Sequence, residues 1–476
     1  DPLHARIDRL IAASHPTYAK DAAPLADDAE FLRRVTLDLA GTIPTAAEAT
    51  AFFADTDPKK REKLIDKLLA APGYARRMAQ AFDVILMERR RDNRVPRAAW
   101  EAYLRETFAA NKPYDEFARE ILSADGSDAK TRPAARFFLD RDLEPNLVTK
   151  DLGRVFLGRN LACAQCHDHP TVGEYKQADY YGIQAFINRI FLFPNATAPT
   201  AVIAEKADGE VNFTSVFDKS KKTRATGPRI PGAKPIDEPK AEKGKEYAVA
   251  PAKDVRPVPA FSRRAKLAAA VTAPENAAFA RTAANRFWAL MLGRGIIDPV
   301  DQDHAANPPS HPELLDLLAR EFVAHQHDVK WLIREIVLSK TYQRSSEVPA
   351  ALADVPADRY LVAPLKPLSA EQLAYAASEA TGNTSADAKV APLVATFRGM
   401  FGGSAGEPDE GAAPTLGQTL FLKNGPVVRG LTQPTATNLA GRLAKLTPEQ
   451  AADELAADGR KRPRLLRLDD RRHGSP

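Results

Sequence analysis

The sequence predicts a mainly α fold: two helical domains with a proline-rich, β-containing insert between them. Three observations carry this. Apolar residues recur at helical spacing, with start and stop signals, both before Gly158 and after Ser262. Between Asn195 and Ala260 that texture ends. Pro228, Pro231, Pro235, Pro239, Pro251, Pro257 and Pro259 crowd a lysine-rich stretch that cannot be helical. The 476 residues, 44% hydrophobic and 27% charged, suit two or three globular domains with cores large enough to need no staples.

The elements follow in order. Phe31, Leu32, Val35, Leu37 and Leu39 open the first strong apolar stripe, and Gly41 sits where a glycine ends a helix. Thr45 with Glu48 forms a capping box for a short helix through Phe53. Asp57-Pro58 is read as an N-cap with proline at the first helical position, leading a helix that buries Leu64, Ile65, Leu68 and Leu69 and stops at Ala71-Pro72-Gly73. Met78 to Arg91, Val95 to Ala110 and Tyr114 to Ser123 read as helices, and Asn146 as the cap of a helix running to Leu157. Val211 to Phe217 alternates with period two and predicts one arm of a hairpin. Beyond Ser262, Thr272 and Pro274 open a long helix that Gly293 stops. Ser310 with Glu313 and Ser369 with Gln372 read as capping boxes, and Asp328 as an N-cap. The expected division is 1–194 and 262–445 for the helical domains, 195–261 for the insert and 446–476 for a basic, solvated tail.

The formal charge is +5, and residues 460–476 alone hold seven Lys/Arg against two acids, so the body is neutral. A neutral body argues against a nucleic-acid surface spread over the fold. Two cysteines exclude a disulfide-framed scaffold. No run approaches the roughly 18 apolar residues of a membrane-spanning helix. No secretory signal is visible, and the opening Asp1-Pro2 suggests a processed start. Triad orderings, phosphate-binding glycine loops and metalloprotease helices do not appear, so no catalytic set is assigned.

Both cysteines fall in Cys163-Ala164-Gln165-Cys166-His167, the C-x-x-C-H signature of c-type haem attachment. Two thiols three residues apart can reach two porphyrin vinyl groups, and the following His can ligate iron. Cys163 and Cys166 would then form the thioethers, with His167 as proximal ligand. Zinc on the cysteines with His167 and His169, or with the distant pair His325 and His327, is a second reading. A redox or structural thiol pair is a third. His169, held extended before Pro170, reads as a turn residue or a second ligand. His304, His311, Met78, Met87, Met291 and Met400 are candidates for the far side of a haem. Arg281, Asn285, Arg286 and Trp288 cluster on one helix, where Arg286 suits a carboxylate or propionate.

The run Leu157-Gly158-Arg159-Asn160-Leu161-Ala162-Cys163-Ala164-Gln165-Cys166-His167-Asp168-His169-Pro170, followed by Asp179-Tyr180-Tyr181-Gly182, resembles the core motif of the planctomycete cytochrome-like two-domain family (PSCyt and PSD domains of unknown function). Residues 31–44 are also similar to the first domain. Residues 284–288, 293–296, 308–316 and 339–343 are similar to the second, so that the likeness spans roughly 25 to 440. The resemblance implies a periplasmic or secreted protein with covalent haem c at Cys163, Cys166 and His167. The chain departs from it beyond Pro426, where a basic, proline-broken tail replaces further helix. The expected function is electron transfer to an unidentified redox partner protein through one haem iron. The alternative is a zinc-stabilised extracellular binding or hydrolytic module using Cys163, Cys166, His167 and His169.

Overall fold

A computed structural model describes residues 1–194, 201–348, 355–383, 387–407 and 414–452. The end of the basic tail, from 453 on, lies outside the described residues, as does the first stretch of the insert, 195–200.

The architecture is mainly α, with the strands confined to the region between Ile190 and Pro259. They form three two-stranded antiparallel pairs: Ile190–Phe193 with Val202–Glu205, Val211–Phe213 with Arg224–Thr226, and Tyr247–Val249 with Val258–Pro259. The predicted hairpin arm forms at Val211–Phe213, where alternation buries Val211 and Phe213, but it ends there. Val216 and Phe217 turn outward at 66% and 71% exposure. The insert is tied down by charge as well as by apolar packing, with Ile203 in the main core and Phe213 stacked on Tyr181. Arg189 and Arg263, both buried, share Glu210 and Glu238.

Several helix ends match their sequence signals. The Asp28–Ala40 helix stops at Gly41 in the left-handed region, and both the Thr45–Glu48 and Ser369–Gln372 capping boxes form. Others differ for a local reason. The helix after Asp57 begins only at Lys60, because the Asp57 carboxylate accepts the Lys59 N–H in a turn. Pro72 opens a helix (Pro72–Met87) instead of merely stopping one. Glu144, not Asn146, caps Pro145–Leu157, accepting the Asn146 and Leu147 N–H groups. Thr272 ends the Arg263–Val271 helix, and the next runs from Ala277 to Leu292. The Ser310–Glu313 box does not form: His311 is the residue before Pro312–Ala324, and the Ser310 hydroxyl donates to the Ile296 carbonyl instead.

The core crosses the expected domain boundaries. One apolar cluster runs from Leu3 to Leu361. The Leu3–Ala13 helix packs against Pro312–Ala324 and Val329–Leu338, and Asp8 accepts the Lys340 and Thr341 N–H groups at 2.9 Å each. Arg34 donates to the Tyr342 and Arg344 carbonyls, and Tyr342 donates its hydroxyl to Asp38. A smaller second cluster joins Ala370–Ala380 to Asp387–Phe401 through Tyr375, Val390, Val394 and Phe397.

Gly293 is a junction between the halves. It ends Ala277–Leu292 at φ 78°, and the Lys366 stem crosses it, 2.3 Å from where a Cβ would sit. The Lys366 ammonium is anchored beyond by Asp38 and by the Met291 carbonyl at 2.7 Å, so its stem cannot swing away. Gly293→Ala is therefore expected to cost about 2 kcal/mol or more, combining left-handed strain with overpacking. Urea unfolding of the variant checks this.

Candidate functional site

The Pro145–Leu157 helix ends at Gly158 (φ 65°), and the chain enters a single 3₁₀ turn, Ala162–Gln165. Leu161 and Ala164 point inward and anchor that turn, whereas Cys163 and Cys166 are exposed free thiols. The backbone around them is well tied. The Val216 N–H donates to the Cys166 carbonyl at 3.0 Å, the Tyr181 hydroxyl to the Gln165 carbonyl at 3.0 Å, and the Gln177 N–H to the Asp168 carboxylate at 2.8 Å. The motif is a rigid loop that presents two thiols to solvent.

The His167 ring nitrogen Nδ1 lies 2.7 Å from the Asp168 carbonyl, which fixes it as a donor and leaves Nε2 with a free lone pair. The ring stands 4.5 Å from that of exposed Phe217, so Val216 and Phe217 form an apolar flap beside the motif. His169 is built differently. Its Nδ1 accepts the Val172 N–H at 3.0 Å and the Thr171 N–H at 3.3 Å, and its own N–H donates to the Tyr175 carbonyl. The turn-residue reading describes this geometry: His169 closes the loop with one of its two nitrogens.

The second half reaches the loop through residues 301–305. Asn160 N–H donates to the Asp301 carbonyl, Asp303 N–H to the Gly158 carbonyl, and Ala305 N–H to Glu174. The Tyr175 ring sits edge-on to both His169 and His304. His304 is thus brought into the motif's surroundings, with its Nδ1 enclosed and without a hydrogen-bond partner. The other axial candidates are spent elsewhere. Met78, Met87 and Met291 are core packing, and Met400 is partly exposed on the Asp387–Phe401 helix. His311 is buried between Ser14 and Ser310, and burial lowers its pKa. His325 stacks on Trp331 and His327 faces Asp115 between Phe279 and Phe322, so neither belongs to the loop. Among the described residues, no three His, Cys, Asp or Glu side chains converge in a way that could hold a metal ion.

Arg286 finds no carboxylate at ion-pair distance among the described residues. It donates instead toward the Arg154 and Val155 carbonyls, in the last turn of the helix that leads to the motif. Those carbonyls have no intrahelical partners and carry the negative end of the helix dipole.

The sequence reading missed a cleft of about 1310 Å³, walled by both halves and lined by Arg33, Arg77, Arg286, Arg294, Asp38 and Lys366 among others. One available signal was register. Tyr74, Arg77, Met78 and Ala81 share one helical face, so Arg77 occupies an apolar position.

Residues 6–191 match PSCyt2, described as a protein of unknown function (DUF1549), and residues 263–398 match PSD1, a protein of unknown function (DUF1553). The chain thus carries two domains of unknown function. No curated protein and no solved structure matches it.

Proposed function

We propose that the chain is a cytochrome-like protein of the planctomycete type, working outside the cytoplasm, that exchanges electrons with a partner protein at the exposed Cys163–His167 loop. The observation that carries this reading is the pairing of two free, solvent-facing thiols on one tied-down turn with a His167 whose Nε2 is left unused. This donor set fits haem c: Cys163 and Cys166 would hold the porphyrin as thioethers, and His167 would be its proximal donor. The Val216–Phe217 flap offers an apolar contact beside that donor. When bound, such a group supplies one-electron transfer. The chain's own part is to hold the His167 ring with the Asp168 carbonyl, to keep the loop's backbone fixed, and to leave its edge open to a partner. The zinc alternative has less support, because His169 commits one nitrogen to backbone N–H groups and, among the described residues, no further ligand joins the cluster.

Protein matured with a c-type haem assembly system should carry one haem that survives acid–acetone extraction. Cys163→Ala/Cys166→Ala should abolish that attachment, and His167→Ala should shift or weaken the Soret band while far-UV helicity persists. His169→Ala should barely change the spectrum. Stoichiometric zinc with no Soret band would sink this reading.

A further inference from the structure

We propose that the interdomain cleft binds an amphiphilic organic anion, with its oxyanion head seated on Arg77 and Arg33 and its apolar body along the neighbouring wall. Arg77 is only 8% exposed, lines the cleft, and has an enclosed Nε with no hydrogen-bond partner. Arg33, half-buried on the facing Asp28–Ala40 helix, also has an enclosed Nε without a partner. Among the described residues no carboxylate lies within ion-pair distance of either. Their neighbour Asp38 is already taken: it accepts from Lys366 at 2.5 Å and from the Tyr342 hydroxyl at 2.7 Å. Glu371, the other acid acting on Arg77, is held by Arg89 and Arg398.

The cluster of Arg33, Arg77 and Lys366 around a single Asp38 is therefore net cationic. A buried charge without a partner is costly, so the missing counter-charge marks a ligand position. The site is also built. Gly41 ends its helix in the left-handed region, and the Arg77 stem lies across it, Cδ 3.1 Å from where a Cβ would sit. Gly293 makes the matching space for Lys366 from the other half. Leu37, Ile43, Phe53, Val84, Ile85 and Leu290 supply the apolar wall, which a bare inorganic anion would leave empty. A carboxylate, sulfate or phosphate head satisfies the same arginine geometry.

Calorimetric titration of the full chain with decanoate and with decyl phosphate, below their micelle concentrations, tests this. At least one should bind one-to-one, and the tighter of the two identifies the head. Decanol and inorganic phosphate should each bind about tenfold more weakly or worse, because each lacks half of the recognised chemistry. Arg77→Gln should lose about tenfold or more in affinity while raising the Tm of the free protein, since it removes an unpaired buried charge. Exposed Arg320→Gln and Cys163→Ala/Cys166→Ala should bind as wild type, which separates this site from the motif loop. If Arg77→Gln instead lowers Tm, Arg33→Gln decides: it should lose affinity at unchanged Tm. Absence of binding by both amphiphiles, decanol binding as tightly as decanoate, or full affinity in the deciding variant would overturn the proposal.

Discussion

Replacing Glu371 by alanine should destabilise the protein by about 3–5 kcal/mol, the cost of stripping one partner from a buried charge cluster. Glu371 is 2% exposed in the first turn of Ala370–Ala380. Its Oε1 accepts from Arg89 at 3.0 Å and from Arg398 at 2.7 Å. Arg89 follows the Pro72–Met87 helix in the main body, and Arg398 belongs to Asp387–Phe401, so one carboxylate joins the small core cluster to the large one. It also steadies a strained corner, since Glu88 and Arg89 are consecutive left-handed residues at φ 47° and 56°.

The same group sets an acid limit. Burial alone would lift its pKa, but Arg89 and Arg398 more than offset burial and hold it at about 2, against 4.5 in the unfolded chain. A depressed carboxylate contributes stability that is fully present above its unfolded pKa and is lost as pH falls through the folded value. About 3 kcal/mol should therefore disappear between roughly pH 5 and pH 2. Urea unfolding across that window should show the wild type converging on Glu371→Gln. Parallel curves at all pH values would show that Glu371 carries no linkage.

Asp151→Ala should be comparably damaging, at about 3–5 kcal/mol. Arg141, fully enclosed, donates through Nε to Asp151 at 2.7 Å and through its other nitrogens to the Phe137 and Leu86 carbonyls. Arg90 and Arg154 lie at 3.8 and 4.0 Å from the same carboxylate and pair with Glu88. Without Asp151, Glu88 and the more distant Asp301 are left among three buried or half-buried arginines beneath the helix that leads into the Cys163 loop. Arg141→Met on top of Asp151→Ala should recover much of the loss, because an apolar replacement of a buried pair is nearly neutral. A double-mutant cycle measures that recovery directly. Additive losses would show that the two residues do not act as a pair.

The legible parts of this protein are those written within a few residues. The Thr45–Glu48 and Ser369–Gln372 boxes and the stop glycines at Gly41, Gly158 and Gly293 are local codes, and each takes the local form expected of it. Local codes failed where a competing partner stood nearby. Asp57 bonds its own turn, Glu144 outcompetes Asn146 for the cap, and Ser310 prefers the Ile296 carbonyl. The exposure of Cys163 and Cys166 was not readable, because it depends on Leu161 and Ala164 turning inward while Val216 closes on Cys166 from 50 residues away.

By itself the sequence determined the helical class, the proline-broken insert and the one motif with ligand chemistry, because periodicity, backbone restriction and donor spacing all act over one or two turns. Only the tertiary structure decided that Leu3–Ala13 packs into the C-terminal half, that the main apolar cluster crosses the expected boundaries, and that Arg33, Arg77 and Lys366 meet around Asp38. The physical reason is that burial and charge pairing are properties of neighbours in space. An arginine on a helix reads as a solvated side chain until another helix covers it, and whether it then has a partner is settled by residues hundreds of positions away.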